Sequence, residues 1–317
     1  MRGVSWLFAG LFAGLMALSG VSHADTAALD WLNRAANAAK QLNYSGVYVY
    51  HHGEHVEVMR VAHRADAAGE QEKVEVMDGM PRHFLRLNKD VYCHLADGKS
   101  VRLERNAARR FFPALLPEQP ASLLNYYIAK VGGTERVAGR PCQLVTLEPR
   151  DGYRYSFNLW LDRTTGLPLK SRIVNENGGV VSMFVFSEIQ IGRAPELQLF
   201  HNDLTGKRIL KASLDQAAES TWDVVPPPGF VRVQEAVRPF PGKKAPVTHL
   251  VFSDGLSVLS LFIEPLDSQS QNQNLQGLSA EGAIGVYSRQ TEGHKVTALG
   301  EVPSSALIEA GNSVRKK

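Results

Sequence analysis

Few residues have the type and spacing for chemistry. His51-His52-Gly53-Glu54-His55 puts three imidazoles within five residues, and imidazole suits transition metals. A continuous strand would place His51 and His55 on one face. Gly53 predicts a turn instead, so the segment reads as a solvated hairpin tip. Asp151 and Asp162 are the candidates for a carboxylate pair of the glycosidase kind. Asp151 precedes Gly152, and Asp162 lies within LDRTTG. A turn aspartate hydrogen-bonds its own backbone, which accounts for both without catalysis. No G-x-S-x-G elbow, phosphate loop or dinucleotide fingerprint occurs. His63, His83 and His94 fall in strand-like runs with no carboxylate partner evident in sequence, which leaves pH sensing open to them. The expectation is a binding protein rather than an enzyme, with no catalytic residue, metal or cofactor.

Cys93 and Cys142 are the only cysteines. They lack the CxxC spacing of a redox catalyst or zinc site. In an oxidising compartment they are either a disulfide or two separate buried thiols.

The N-terminus predicts that compartment. Arg2 supplies a positive charge, Trp6 to Leu18 is apolar, and Ser22-His23-Ala24 offers a cleavage site. Residues 1–24 are therefore expected to be a secretory signal peptide, and no cysteine follows for lipidation. The mature protein is expected to be soluble and exported. The 35 basic and 32 acidic residues leave a net charge of +3, which gives no footprint for nucleic acid.

The elements that must position these residues read as α+β, mainly antiparallel. Leu29, Leu32, Ala36, Ala39 and Leu42 repeat at three- and four-residue spacing and predict a helix over 25–42. The pattern then turns to period two. Short strands alternate with turns at Asp78-Gly79, Asp97-Gly98, Asp151-Gly152 and Asn177-Gly178-Gly179, which predicts an antiparallel meander. An insertion at 109–131 contains Pro113, Pro117 and Pro120, and its 122–130 part is expected to be a short helix. Residues 199–223 read as more helical and polar. After Pro226-Pro227-Pro228-Gly229, hairpins at 247–264 and 283–300 and a closing helix at 303–314 suggest a smaller second unit. Arg315-Lys316-Lys317 reads as a frayed tail. The expected domains are 25–205 and 222–317, with a connector at 206–221.

The run 153–161 is the most informative. Tyr153, Tyr155, Phe157, Leu159 and Leu161 share one face, and Arg154, Ser156, Asn158, Trp160 and Asp162 the other. A long sheet can curl around its own apolar face and a covering helix. The helix and the insertion are the available covers. They either fill the concavity as an ordinary core or leave a cavity for an acyl chain or apolar peptide. Tyr155, Phe157 and Leu159, with Leu115 and Leu116 of the insertion, are its candidate lining.

A leading helix, an antiparallel meander and the WLD-x-x-TGLPL hairpin at 160–169 resemble the lipoprotein carriers LolA and LolB. PRDGYRYSFNLWLDRTTGLPLKS at 149–171, GRPCQLV at 139–145, PPGF at 227–230 and PVTHLVFSDGLSVLSLFIE at 246–264 resemble the RseB/MucB family of periplasmic regulators more closely. The resemblance spans nearly the whole mature chain. It implies a half-barrel, lipoprotein-carrier-like domain followed by a smaller β/α domain. It also implies a partner, the periplasmic part of a single-span anti-sigma factor of the RseA or MucA type. Such regulators shield that partner from site-1 proteolysis and keep an envelope-stress sigma factor sequestered. Lipopolysaccharide or lipoprotein acyl chains are the implied releasing signal, and a homo-oligomer is open. Arg102, Arg105, Arg109 and Arg110 either meet lipid phosphates or form a solvated loop. The competing reading is a periplasmic lipid or lipoprotein carrier, which would have no need of the second domain.

Overall fold

The computed structural model describes residues 23–95, 100–103, 112–202, 209–211, 221–240, 245–266 and 276–317. Helix α1 (His23–Gln41) opens it. Its buried stripe is Ala28, Leu32, Ala35, Ala36, Ala38 and Ala39. The alanines let the helix lie close to the sheet. Lys40 in its last turn favours the negative helix end and reaches Glu118 at 2.6 Å.

Strands β1 (Tyr44–His52), β2 (His55–Asp66), β3 (Gly69–Val76), β4 (Arg82–Leu87), β5 (Asp90–Leu95) and β6 (Ser100–Leu103) form a meander. After a 3-10 turn at Pro120–Asn125 come β7 (Tyr127–Val137), β8 (Arg140–Pro149), β9 (Ser156–Asp162), β10 (Pro168–Val174) and β11 (Val180–Ile191). β11 returns along β1, with Tyr44 opposite Ile191 and His52 opposite Ser182. β12 (Ile209–Lys211) joins the far edge. The sheet has twelve strands in the order β12-β6-β5-β4-β3-β2-β1-β11-β10-β9-β8-β7. Register shifts at Val47/Tyr48 and Val131/Thr134 add twist. The sheet curls enough that edge strand β7 approaches β11, four strands inward. α1 packs on β7, β8 and β2.

The second sheet is built from β14 (Val231–Arg238), β15 (Val247–Ser253), β16 (Val258–Pro265), β17 (Gly277–Glu281), β18 (Ile284–Thr291) and β19 (His294–Gly300), in the order β14-β15-β16-β19-β18-β17. Helix α2 (Ser304–Ser313) packs on β16, β18 and β19. Its Ala306, Leu307 and Ala310 meet Leu259, Leu261, Val296 and Ala298 in one core. A separate ribbon pairs β13 (Trp222–Asp223) with β20 (Arg315–Lys316).

This is the expected α+β class: a large antiparallel sheet under a helix, then a smaller β/α unit. Four local expectations change. Residues 127–130 are strand rather than helix, because they alternate in burial and pair with 146–149 of β8. Only 120–125 makes a 3-10 turn. Residues 209–211, inside the expected connector, pair in parallel with β6. The expected frayed tail is held by backbone bonds, Lys317 N–H to the Thr221 carbonyl among them. Strands β14 and β17 were not anticipated. Of the expected signal peptide, 1–22 lies outside the described residues.

Candidate functional site

The site grows from the turn between β8 and β9. Asp151 accepts from the backbone N–H of Tyr153 at 3.0 Å, the self-bonding that turn aspartates favour. The turn aims Arg154 into the second unit. Its guanidinium is wholly buried. It donates through Nε to Asp254 Oδ2 at 2.7 Å, through one terminal nitrogen to Asp151, and through the other to the Pro228 carbonyl. The cation lies 4.6 Å from the Tyr126 ring centre and 4.8 Å from that of Phe230, a geometry that favours a desolvated cation.

Asp254 is equally buried. Oδ2 also accepts from the Tyr127 hydroxyl at 2.9 Å. Oδ1 accepts from the N–H groups of Leu256 and Ser257 at 2.9 and 2.7 Å. Both carboxylate oxygens are thus fully used, as a buried charge requires. Gly229 has φ +82°, and a Cβ there would sit 2.5 Å from Arg154 and the Tyr126 ring. Only glycine lets the 227–230 turn close over the guanidinium.

Apolar contacts interlock around this pair. Tyr153 packs against the core of the second sheet, and Leu256 against the core beneath α1. Ser305 Oγ donates to the Gly152 carbonyl. Further along, the Tyr50 hydroxyl donates to Glu301 at 3.1 Å. At the hairpin tips a Cβ on Gly53 would fall 2.5 Å from the Gly282 backbone. The two sheets are therefore joined by a polar, interlocked junction, and Arg154–Asp254 is its centre.

Of the predicted lining, Leu116, Phe157 and Leu159 do come together. They are 5%, 5% and 1% exposed, packed with Leu123, Tyr127 and Leu32. Leu115 turns to a different cluster, with Phe112 and Phe186. Tyr155 is half-buried just before β9. Arg102 lies in β6, while Arg105, Arg109 and Arg110 lie outside the described residues. The disulfide left open is not made. Cys93 and Cys142 are free, on β5 and β8, with seven strands between them. Burial pushes the Cys142 thiol up to about 11, so it carries no reactive thiolate.

The carboxylates weighed for catalysis are engaged. Asp162 is fully buried, takes Arg140 through both oxygens at 2.8 and 3.2 Å, and accepts from Thr165 N–H and Oγ1 at 2.9 and 2.7 Å. Burial works against its charge, but Arg140 and Thr165 outweigh it and hold its pKa below the usual value. At 51–55 the chain turns at Gly53-Glu54, and the His52 and His55 rings face each other at 5.3 Å. Among the described residues no three His, Cys, Asp or Glu side chains converge on a metal position.

Sequence reasoning missed two things. Alternation puts Arg154 on the face opposite Phe157 without naming a partner for it, and no signal in one sequence links it to Asp254, 100 residues away. His63 has carboxylate partners after all. Its Nδ1 meets the Leu42 carbonyl at 2.8 Å, so Nδ1 carries a proton. Nε2 then faces Glu70 at 3.4 Å. Burial opposes the imidazolium, but Glu70, Glu72 and the Leu42 carbonyl together raise its pKa above 6.5.

The comparisons with known proteins cover both units. The family model for the MucB/RseB N-terminal domain matches residues 27–214, and that for the MucB/RseB C-terminal domain residues 216–315. The sigma factor AlgU regulatory protein MucB of Pseudomonas aeruginosa strain PAO1 is 32% identical, over 99% of this chain and 98% of that protein. The sigma-E factor regulatory protein RseB of Escherichia coli K12 is 22% identical, over 98% of this chain and 97% of that protein. Among solved structures, that of the P. aeruginosa MucA/MucB complex matches with a TM-score of 0.74 and 30% identity, over 92% of this chain and 99% of that one. A crystal structure of MucB with MucA(peri) gives 0.73 and 29%, over the same shares. With both domain models matched end to end, the chain belongs to the MucB/RseB family.

Proposed function

We propose that the protein is a periplasmic negative regulator of an extracytoplasmic, envelope-stress sigma factor. It binds the periplasmic part of a single-span anti-sigma factor, shields it from site-1 proteolysis, and lets go on a lipid or lipopolysaccharide signal. The observation that carries this reading is the match, across both domains, to MucB in its complex with MucA. A carrier of lipoproteins would need only the large sheet. Here the second domain is built into it through Arg154 and Asp254.

Binding rather than catalysis is supported by the state of the carboxylates. Asp151, Asp162 and Asp254 each hold an arginine, which leaves none of them free as a base. Support for the lipid arm is the aromatic content of the face beneath α1, where Phe112 stacks on Phe184 at 5.3 Å and meets Tyr48 edge-on. An acyl chain entering near Leu116, Phe157 and Leu159 has to part residues that now touch. That requirement couples lipid entry to a change of shape.

The test is a titration of the mature chain with the periplasmic segment of the cognate anti-sigma factor, followed by digestion with the site-1 protease. Saturable binding and protection are expected, both reversed by lipopolysaccharide. A segment that fails to bind with or without lipopolysaccharide overturns the regulator reading. Binding that lipopolysaccharide leaves untouched overturns the release step alone.

A further inference from the structure

The face of β8–β10 opposite Leu159 and Leu161 carries charge in a lopsided way. The register puts Leu144, Trp160 and Lys170 in one row and Thr146, Asn158 and Arg172 in the next. Two ion pairs flank these rows, Arg140–Asp162 at one end and Lys130–Glu148 at the other. Between them Lys170 and Arg172 have no acidic partner among the described residues. Both cations lie over one indole, Lys170 Nζ at 4.1 Å and Arg172 at 5.4 Å from the Trp160 ring centre.

The donors here are also unsatisfied. Trp160 is 3% exposed, and its Nε1 is buried without a partner, as is Nε of Arg172. A buried donor left unpaired is destabilising. Two like charges sharing one buried ring repel as well. Burial and then Arg172 lower the pKa of Lys170, and the charge of Glu135 offsets this only in part. The arrangement lacks an acceptor with negative charge.

We propose that this face binds a phosphate group, clamped between Lys170 and Arg172 above Trp160. Two cations match a dianion better than a single carboxylate, and arginine presents its donors in a fork suited to phosphate oxygens. An extended peptide is disfavoured by the sheet itself. β8, β9 and β10 are paired on both edges, so no backbone group is left to add a strand. The phosphate belongs either to a lipid headgroup or to a free ion, and the recognising chemistry is the same.

The experiment is calorimetric titration of the mature chain with sodium phosphate at constant ionic strength, beside K170Q, R172Q and K130Q. Saturable binding is expected, weakened roughly tenfold by each of the first two changes and unchanged by K130Q, whose lysine is already paired. In the unaltered chain, the Trp160 indole N–H resonance should shift on titration, a readout that does not depend on any variant folding. Cosedimentation with phosphatidic acid vesicles, but not with phosphatidylcholine alone, assigns a headgroup. Binding of inorganic phosphate without vesicle binding assigns the free ion, and either result upholds the site. It is overturned by an unmoved indole resonance, by equal weakening in K130Q, or by polyglutamate displacing phosphate at lower charge concentration.

Discussion

Two buried charge clusters sit in this molecule and are built differently. At the junction, Asp254 spends both oxygens on four donors and Arg154 spends its fork on three acceptors. Inside the large sheet, Glu72 is 3% exposed, meets Arg86 at 3.3 Å through one oxygen, and leaves the other, Oε1, without a partner. Burial raises the Glu72 pKa, against the pull of Arg86 and His63. Its neighbour His63 stacks on Tyr44 at 4.6 Å, and its pKa is raised above 6.5. Saturated pairing makes the first cluster a fixed joint. Incomplete pairing makes the second one responsive.

Breaking the joint should have the largest effect. R154M leaves Asp254 charged and buried, which costs about 3–5 kcal/mol, read as a lower urea midpoint. The double variant R154M/D254L should recover much of that loss, because no orphan charge remains. No recovery would mean that the pair acts through shape rather than charge.

Next comes pH. A His63 pKa raised on folding stabilises the protein fully below 6.5, and that contribution is lost as pH rises through the folded value. Glu72, also raised, acts in the same direction from its own ordinary 4.5 upward. Glu70, lowered, acts in the opposite sense and only in acid. The melting temperature should therefore fall as pH rises above 6.5, and H63Q should flatten that slope. An unchanged slope in H63Q would assign it elsewhere.

E72Q is expected to do less. Removing the half-paired charge should raise stability at pH 8 by about 1 kcal/mol or less and change little at pH 5. A large loss would show that Glu72 is satisfied in solution. Smallest is S305A, which removes one hydrogen bond from the rim of the junction, about 0.5–1 kcal/mol, seen by the same unfolding assay.

Much of the fold was legible because local chemistry wrote it. The alanine-rich stripe of α1 and the turns at Asp78-Gly79 and Asn177-Gly178 announce themselves over four to eight residues. LDRTTG is a turn for the reason its residues suggest, since Asp162 caps Thr165. What stayed hidden depends on distant partners. Asp162 is bound by Arg140, 22 residues away, and the acceptors of Arg154, Asp254 and Pro228, come from another domain. Alternation correctly put Phe157 and Leu159 on one face. It could not say whether their cover, Leu116 and Leu123, would fill the space. The 315–317 segment reads as frayed in the sequence because three residues carry no periodicity.

That short ribbon has a mechanical meaning. Trp222–Asp223 enters the second domain and Arg315–Lys316 leaves it, and the two are hydrogen-bonded side by side. A body whose entry and exit are stitched together behaves as a closed loop. Pulling on either end first opens a two-residue zipper and leaves the six-stranded sheet unstrained. The domain can therefore be moved to another host loop without unravelling.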